Sequence, residues 1–527
     1  MGGSGEHGGT GNEGGASGVG SGLRWWPATV VLGLGAAAVA VVWMDPSRSH
    51  QQRNLTALTT VIFVVPLLLA WWGLLSRASA RARAAGVSGF AGLLAVFFAL
   101  FRVSGVSGDL RPIFSWRWPA TTSGAAVAAS GGASRAPAPV VRADYPQFLG
   151  PQRDGRVRGI ELATGWATNG PVEIWRRPVG AAWSGFVVSG GLAVTMEQEG
   201  AEEVVSAWRL ESGERAWSAR TPGRHHTTIG GEGPRSTPLV VGGRVYALGA
   251  TGTLSCLALM DGKVTWRVSL PDVAKCGVPE WGFASSPLWL DGKVVVLAGG
   301  EKAVWAFDGA SGKVAWSGGT GGANYGSAHV LEWAGGRVLT YFAGRAWVAL
   351  DPADGSERWR HPFGAGMPLV AAPVLVASNR VVLSAGYGVG AEAVEWTGQG
   401  VRTAWSSKKL KAKFANPVAL DGIVCGLDDG ILAALDAATG AGLWKEGRWG
   451  HGQGVVVGRH YLLMAETGDL VLLEPTRSGP GELGRRKVLE GKTWNPVALA
   501  GDLLLVRNDR EAACLRLPLV GPSSQKP

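Results

Sequence analysis

The chain has few of the residues that build metal and redox sites. Its 527 residues include four cysteines, Cys256, Cys276, Cys425 and Cys514, and no two of them are closer than 20 residues. Because there is no Cys-x-x-Cys pair, the sequence gives no support for a structural zinc site or a thioredoxin-like redox site. The spacing leaves open whether these cysteines are buried thiols or pair as disulfides.

Charge is also scarce. Only 17% of the residues are charged, the net charge is +10, and the basic residues are scattered. The densest run, Lys-Lys-Leu-Lys-Ala-Lys at 408–413, is expected to be a solvated loop or to contact anionic lipid. The adjacent His225 and His226 have no metal-compatible partner nearby in sequence. We therefore predict no metal site and no nucleic-acid partner.

Three long apolar runs stand near the N-terminus, at residues 25–44, 55–75 and 84–101. At 1.5 Å per residue, each is long enough to cross a hydrocarbon core of about 30 Å as a helix. Tryptophans lie at or near the ends of these runs, where interfacial anchors are expected. The sequence thus predicts a three-helix transmembrane anchor over residues 25–101, with the lipid bilayer as its partner.

The loops of this anchor predict its orientation. Arg77, Arg81 and Arg83 lie between the second and third runs without an acidic residue, so that loop is expected on the cytoplasmic side. The Gly-rich residues 1–24, predicted to be disordered, would then be inside, and everything after residue 101 outside. Residues 102–143 are expected to form an interfacial segment and a flexible Ala/Ser/Gly/Pro tether.

A repeat occupies residues 144–520. Six times a Trp follows a Gly four or five residues later, and these tryptophans lie 39 to 50 residues apart, the period of a four-stranded propeller blade. In one unit an apolar run ends at Asp308, a turn reaches Gly312, and a second run ends at Trp316, as expected of a hairpin. A second hairpin precedes each unit and opens with small residues and Pro, as at 236–238.

The number of units sets the predicted architecture. Seven four-stranded copies run from Phe186 to about Val488, and a partial copy covers residues 495–517. The segment Val172–Trp175 precedes the first copy and can complete the last one. The sequence therefore predicts an all-β fold, an eight-bladed β-propeller with seven blades as the runner-up, preceded by three transmembrane α-helices.

The regularly spaced tryptophans have two interpretations. They could stack on ligands, or each could bury its ring between neighbouring blades. One Trp per blade favours the structural interpretation, because burying an indole contributes several kcal/mol, on the order of 4–6 as an upper bound. The predicted docking residues are Trp175, Trp217, Trp266, Trp316, Trp359, Trp405 and Trp444.

These motifs resemble those of a known family. Residues 144–155, Asp-Tyr-Pro-Gln-Phe-Leu-Gly-Pro-Gln-Arg-Asp-Gly, resemble the entry motif of the pyrroloquinoline-quinone-like (PQQ-like) β-propeller repeat proteins. The Gly-x3-Trp units and the stretches 233–238 and 279–287 are similar to that family's docking motifs. The resemblance covers residues 144–517 and implies the propeller fold. Family members include quinoprotein alcohol and glucose dehydrogenases and a lipoprotein scaffold of outer-membrane protein assembly.

The resemblance implies two functions of different classes. The first is a non-catalytic binding or protein-interaction scaffold on the outer, periplasmic side of the cytoplasmic membrane, with a protein or small ligand at a propeller face. The alternative is a PQQ-dependent quinoprotein dehydrogenase oxidising an alcohol or sugar, with PQQ and Ca²⁺ as cofactors. Alcohol-oxidising members commonly carry a vicinal Cys-Cys disulfide, which this chain lacks. The scaffold is the favoured hypothesis, and no catalytic residue is predicted.

A ligand, if there is one, is expected in the central channel. Polar and aromatic residues just before the inner strands would face it. The structural alternatives are that Asn416 and Asn495 cap turns and that Arg235 and Glu280 pair with each other. The candidate residues are Arg235, Glu280, Trp281, Asn324, Tyr325, Asn416, Trp494 and Asn495.

Overall fold

The computed structural model describes residues 23–45, 48–118, 144–322, 324–333 and 336–520. The predicted disordered N-terminus up to residue 22 and the predicted tether at 119–143 lie outside this part of the chain. The described residues form two compact units. One contains the N-terminal helices, and the other contains Val103–Phe114 together with the β-sheets.

The helical unit contains three helices that are long and apolar enough to cross a membrane, as predicted. They are α1 (Trp26–Met44), α2 (His50–Ala70), which continues as the π-helical turn Trp71–Leu75, and α3 (Ala80–Leu100). The helix α3 begins four residues before the predicted run because Ser79 caps it, its hydroxyl accepting a hydrogen bond from the Ala82 amide. Arg81 and Arg83 therefore lie in the first turn of α3 rather than in a loop.

The second unit is built from sheets in which consecutive strands pair antiparallel, and the short strand Arg156–Val157 adds to one of them in parallel, beside Gln453–Val457. The described residues contain eight sheets of four or five strands. The sequence predicted eight blades, with seven as the alternative. Sheets 1 to 4 consist of the following strands: Val187–Ser189, Leu192–Glu199, Glu202–Arg209 and Arg215–Pro222; Leu239–Val241, Arg244–Leu248, Thr253–Ala258 and Val264–Ser269; Leu288–Leu290, Lys293–Leu297, Val304–Asp308 and Val314–Gly318; His329–Trp333, Gly336–Ala343, Ala346–Leu350 and Glu357–Pro362.

Sheets 5 to 8 continue the series, and two of them include strands from the beginning of the unit. Their strands are Val374–Ala377, Arg380–Ala385, Gly390–Trp396 and Val401–Ser407; Val418–Leu420, Ile423–Asp428, Ile431–Asp436 and Gly442–Arg448; Arg156–Val157, Gln453–Val457, His460–Met464, Asp469–Leu473 and Glu482–Lys487; Ala498–Ala500, Leu503–Arg507, Glu511–Arg516 and Val172–Pro178. Smaller elements are the hairpins Phe101–Val106/Pro112–Trp116 and His226–Thr227/Gly231–Glu232 and the short helix Leu270–Ala274.

The last sheet is closed by a strand from the start of the unit, as the sequence predicts. The strand Val172–Pro178 pairs with Glu511–Arg516, so that Trp175 lies opposite Cys514. Sheet 8 thereby gains its outermost strand from residues that precede sheet 1 in sequence. Joining the two ends of the unit in one sheet gives the last sheet its fourth strand.

Burial along each sheet reflects its position between two neighbours. The second strands are almost entirely buried, as in Ile423–Asp428 and Leu503–Arg507, whereas the fourth strands alternate or face solvent, as in Arg215–Pro222. Apolar β-branched and leucine side chains fill the space between sheets, and all four cysteines are free thiols. Packing between sheets therefore supplies the core.

The Gly–Trp spacing has a direct structural counterpart. In five cases the indole of one sheet lies on the Gly that ends the outer turn of the next sheet, so closely that a Cβ there would overlap the ring. Gly400 is the exception, with no atom within 4 Å of a would-be Cβ. The pairs are Trp175 on Gly213, Trp217 on Gly262, Trp266 on Gly312, Trp316 on Gly355, and Trp405 on Gly440.

The small and polar residues before the inner strands form a belt of hydrogen bonds between neighbouring sheets. Each bond joins a backbone amide or side chain of one sheet's entry segment to a polar side chain of the next. The bonds run from Gly185 N to Thr237 Oγ1 (3.0 Å), Thr237 N to Ser286 Oγ (3.0 Å), Ser286 N to Ser327 Oγ (2.9 Å), Ala372 N to Asn416 Oδ1 (2.8 Å) and Asn416 Nδ2 to Gln453 Oε1 (3.2 Å).

Candidate functional site

A cavity of about 180 Å³ lies inside this belt, among the residues that lead into the inner strands. Its wall is mainly aromatic and aliphatic. Five of the eight sequence candidates line it, which places residues far apart in sequence around one space. They are Arg235, Trp281, Tyr325, Asn416 and Trp494.

The other three candidates do not line this cavity. Glu280 is exposed and forms no ion pair with Arg235 in the described part of the chain. Asn324 accepts a hydrogen bond from the Leu369 amide (2.8 Å), and Asn495 donates to the carbonyls of Ala182 (3.0 Å) and Ser184 (2.8 Å). The two asparagines connect backbone segments of neighbouring sheets. These contacts give the Asn324 oxygen and the Asn495 nitrogen a structural role, as in Asn416.

Two aromatic residues of the wall were not among the sequence candidates. Trp183 and Phe414 each lie with ring centroids 4.9 Å from the ring of Trp494. Trp281 meets Tyr325 edge-on at 6.4 Å. Like Trp281 and Trp494, Trp183 precedes the inner strand of a sheet. This position in the repeat could have identified it from the sequence.

The cavity carries positive charge. Arg235 donates hydrogen bonds to the carbonyls of Gly230 (3.0 Å) and Gly233 (3.3 Å), and burial lowers its pKa to about 10. The ammonium of Lys492 lies 4.0 Å from the ring centre of Trp494 and 4.7 Å from that of Trp183. Burial lowers the pKa of Lys492 to about 8. No carboxylate lines the cavity among the described residues, so an electron-rich or anionic group would be favoured there.

One end of the channel is filled by the segment that contains the entry motif. Arg153 is 6% exposed and donates to the carbonyls of Ser286 (2.7 Å), Pro287 (3.0 Å) and Ala328 (3.1 Å). Burial lowers the pKa of this guanidinium to about 9. Phe148, from the same segment, lines the cavity. The entry motif therefore closes the channel from this side.

The turn Ser107–Leu110 borders the cavity from the other side. Leu110 lines the cavity, and the carboxylate of Asp109 contacts Arg448 Nη1 (2.9 Å) and His451 Nε2 (3.4 Å). Lys413 Nζ lies 3.9 Å from the same carboxylate. The sequence pattern assigned residues 102–143 to an interfacial segment and a flexible tether and gave no indication of these contacts.

The contacts of this turn correct the expectation of a solvated basic loop at 408–413. Lys413 is 2% exposed, and Lys411 pairs with both Asp428 (3.4 Å) and Asp429 (3.2 Å). Only Lys408 and Lys409 of this run are exposed. The expectation was wrong because the acidic partners come from the next strand and from Asp109, some 300 residues earlier.

Comparisons with known proteins bear on the fold. Residues 201–446 match the model of a family described as "Outer membrane protein assembly factor BamB". No curated protein sequence matches the chain. Among solved structures, BamB from Moraxella catarrhalis is similar with a TM-score of 0.51 and 16% identity, over 66% of this chain and 100% of that one.

Two oxidoreductases are similar to a comparable degree. A europium-containing methanol dehydrogenase gives a TM-score of 0.54 with 12% identity over 68% of this chain and 89% of that one. Quinohemoprotein alcohol dehydrogenase from Comamonas testosteroni gives 0.52 with 12% identity over 73% and 81%. At these identities the likeness concerns the fold alone. Together with the match at 201–446, it supports the predicted fold, a PQQ-like β-propeller preceded by three apolar helices.

Proposed function

We propose that this protein is a membrane-anchored, non-catalytic propeller that serves as a binding or protein-interaction scaffold on the outer, periplasmic face of the cytoplasmic membrane. The proposal rests on the observation that the chain's own segments fill most of the channel. The chain's own Arg153 segment and Ser107–Leu110 turn occupy its two sides, and about 180 Å³ of mainly apolar space lies between them. Sites for drug-sized ligands usually measure about 300–1,000 Å³.

The loops that lead into the inner strands supply a surface for a partner. Three apolar side chains on these loops are exposed: Ile229 (43%), Val278 (46%) and Met367 (42%). Exposed apolar groups on loops held by a rigid scaffold are typical of protein-binding surfaces. The family description of the matched segment, an outer membrane protein assembly factor, supports a role in binding proteins rather than in turnover.

The alternative is a PQQ-dependent dehydrogenase, and it is favoured by the likeness to the two dehydrogenases. Calcium in proteins takes six to eight oxygen ligands, with carboxylates prominent among them. The described residues that line the cavity include no Asp or Glu. The carboxylate of Glu466, which contacts the wall residues Gly108 and Trp494, accepts from Gly108 N, His451 N and Trp494 Nε1. This donor set does not fit a PQQ–Ca²⁺ site, so we derive no catalytic step through it.

Cofactor uptake separates the two hypotheses. The full chain in lipid nanodiscs would be dialysed against PQQ with Ca²⁺, and bound PQQ would be measured by absorbance, with dye reduction by alcohols or sugars as the activity. We expect no stoichiometric uptake and no dye reduction. Stoichiometric binding with turnover would replace the scaffold by the dehydrogenase.

A second experiment tests the scaffold directly. A photo-crosslinking amino acid would be placed at Ile229 or Met367, and at Val314, which is 47% exposed on a fourth strand, as the control. In the membranes of its own cells, we expect the two loop positions to capture the same protein and Val314 to capture none. The crosslink should disappear when Glu replaces the loop residue next to the crosslinking position. Equal capture at all three positions would argue against a specific surface.

The orientation is tested separately. A reporter enzyme that is active only outside the cytoplasm, fused after residue 520, should be active in the wild-type chain. Replacing Arg77, Arg81 and Arg83 by Gln removes the positive charge that predicts the inside loop, and we expect reporter activity to fall. An inactive reporter in the wild type would place the propeller on the cytoplasmic side.

A further inference from the structure

The turn Ser107–Leu110 combines a tight backbone with deep insertion. It closes through hydrogen bonds from Leu110 N to Ser107 O and from Ser107 N to Arg111 O, both 2.9 Å, and Leu110 has a positive φ of 57°. Residues 103–114 belong to the same compact unit as the sheets, although they follow α3 directly in sequence. The turn is thus a separate segment seated among loops of sheets 6, 7 and 8.

The carboxylate of Asp109 fits a cationic socket. Arg448 and His451 contact it at 2.9 and 3.4 Å, with Lys413 at 3.9 Å, and Asp109 is 7% exposed. Burial alone would raise the pKa of Asp109. The hydrogen bond from His451 and the charges of His451, Lys413 and Arg448 outweigh it, so the pKa lies below its ordinary value. The carboxylate is therefore held as the anion.

The backbone of the turn is recognised as closely as its side chain. Gly108 N donates to Glu466 Oε1 at 2.7 Å, and Glu466 Oε2 also accepts from His451 N at 2.9 Å. A Cβ on Gly108 would overlap the ring of His451, so only glycine fits this position. Lys492 Nζ donates to Val106 O at 3.3 Å, which places the hairpin over the amine beside Trp494.

The base of the hairpin is held by α3, where Phe101 stacks on Phe97 and Arg117 N donates to Leu100 O, whereas its turn is held by the contacts described above. Its strands Phe101–Val106 and Pro112–Trp116 pair only with each other and join none of the eight sheets in the described residues. An isolated two-stranded hairpin is marginally stable in water. The position of the turn therefore depends on polar and ionic contacts, which can break without disrupting any sheet.

We infer that the turn Ser107–Leu110 is a plug built into the chain, latched by Asp109 in the socket of Arg448, His451 and Lys413, and that its release opens the aromatic cavity. Leu110 supplies the apolar cap, and Gly108 allows the close approach to His451. The plug regulates access to the cavity whether the propeller acts as a scaffold or as an enzyme. Its test accordingly uses no ligand of the cavity.

The experiment compares the full chain in nanodiscs with the variants Gly108→Ala, Asp109→Asn and Arg111→Gln. Arg111 is the matched control, since it is a charged residue that directly follows the turn and its side chain is exposed. Hydrogen exchange of residues 105–111 reports latching. Reductive methylation of Lys492 by formaldehyde and cyanoborohydride at pH 8, read by mass spectrometry, reports opening, and the exposed Lys487 serves as internal reference.

We expect Gly108→Ala and Asp109→Asn to speed exchange by about tenfold to a hundredfold, the factor that losing one hydrogen bond to a charged group gives. Lys492 should be methylated several-fold faster in both variants, with Lys487 unchanged, and Arg111→Gln should behave as the wild type. Wild-type rates in both variants would overturn the latch. Faster exchange without faster labelling of Lys492 would overturn the inference that release of the plug opens the cavity. Because both substitutions lie outside the eight sheets, unchanged near-UV circular dichroism should show that the propeller is intact.

Discussion

The indole of Trp217, in the fourth strand of sheet 1, lies on Gly262 in the outer turn of sheet 2. The indole N–H also donates to Leu259 O in the same turn, at 2.8 Å. Two requirements meet at this glycine: a positive φ of 72° and the absence of a side chain under the ring. This relationship explains why Gly and Trp recur together, since in five of the six units the Gly of the turn receives the Trp of the preceding sheet.

The substitution Gly262→Ala should destabilise the propeller through both requirements. An Ala at positive φ costs about 1–2 kcal/mol, and the overlap with the ring of Trp217 adds about 1–3 kcal/mol. Gly243→Ala is the matched control, because Gly243 has the same φ of 72° and no atom within 4 Å of a would-be Cβ. Urea unfolding of the full chain, followed by fluorescence, measures both. Equal losses would mean that the indole contact contributes nothing.

The repeated strands could be predicted from the sequence, because each repeat contains the residues that mark where its hairpins begin and end. Turn residues and the Gly–Trp spacing mark the hairpins, and Val172–Trp175 was recognised as the missing outer strand because it carries a Trp without a preceding hairpin. The seam at Gly400 shows the limit of this argument. The Gly400/Trp405 spacing fits the pattern, yet no ring lies on Gly400.

Long-range contacts of non-repeated segments could not be predicted in this way. Trp281 and Trp494 were expected to face the channel because they precede inner strands, and both line the cavity. Asn324 and Asn495 occupy similar positions, but their amides bind backbone groups of neighbouring sheets. The burial of Lys413 depends on Asp429 and on Asp109, and no local pattern encodes an ion pair across 300 residues.

The substitution Arg153→Met should destabilise the propeller by about 2–4 kcal/mol. It keeps an apolar chain in place of the arginine's methylene groups but leaves the carbonyls of Ser286, Pro287 and Ala328 without their donor inside the channel. In the exposed control Arg158→Met, which removes a surface ion pair with Asp154 and a surface hydrogen bond to Gln152, we expect a change of at most about 0.5 kcal/mol. Both are measured by urea unfolding. A wild-type midpoint for Arg153→Met would show that water replaces the guanidinium without loss.

The substitution Ser286→Ala tests the belt between sheets 2 and 3. The hydroxyl of Ser286 accepts from the Thr237 amide at 3.0 Å, and its removal leaves a buried N–H without an acceptor. We expect a loss of about 1–3 kcal/mol. The control Ser218→Ala, at an exposed position on a fourth strand, should change stability by less than about 0.5 kcal/mol. If the two variants unfold at the same urea concentration, the belt does not hold the sheets together.

Because of Lys492, the free energy of unfolding of the propeller should change with pH in the alkaline range. Burial lowers its pKa to about 8, and the neighbouring Arg235 and Arg510 act in the same direction, whereas Asp509 and Glu466 oppose it. Between pH 8 and the ordinary lysine pKa of about 10.4, the unfolded chain binds more protons than the folded one, so stability rises with pH through this window. Below pH 8 the cost of the buried ammonium is constant and complete.

The substitution Lys492→Met removes this titration while keeping an apolar side chain against Trp494. We expect the variant to be more stable than the wild type by about 2 kcal/mol at pH 7, with the difference shrinking as pH rises from 8 to 10.5. Lys487→Met, at a position that is 45% exposed, should show no such convergence. Urea unfolding at half-unit pH intervals measures all three proteins. A constant difference across the window would mean that the Lys492 ammonium is as well solvated in the folded chain as in the unfolded one.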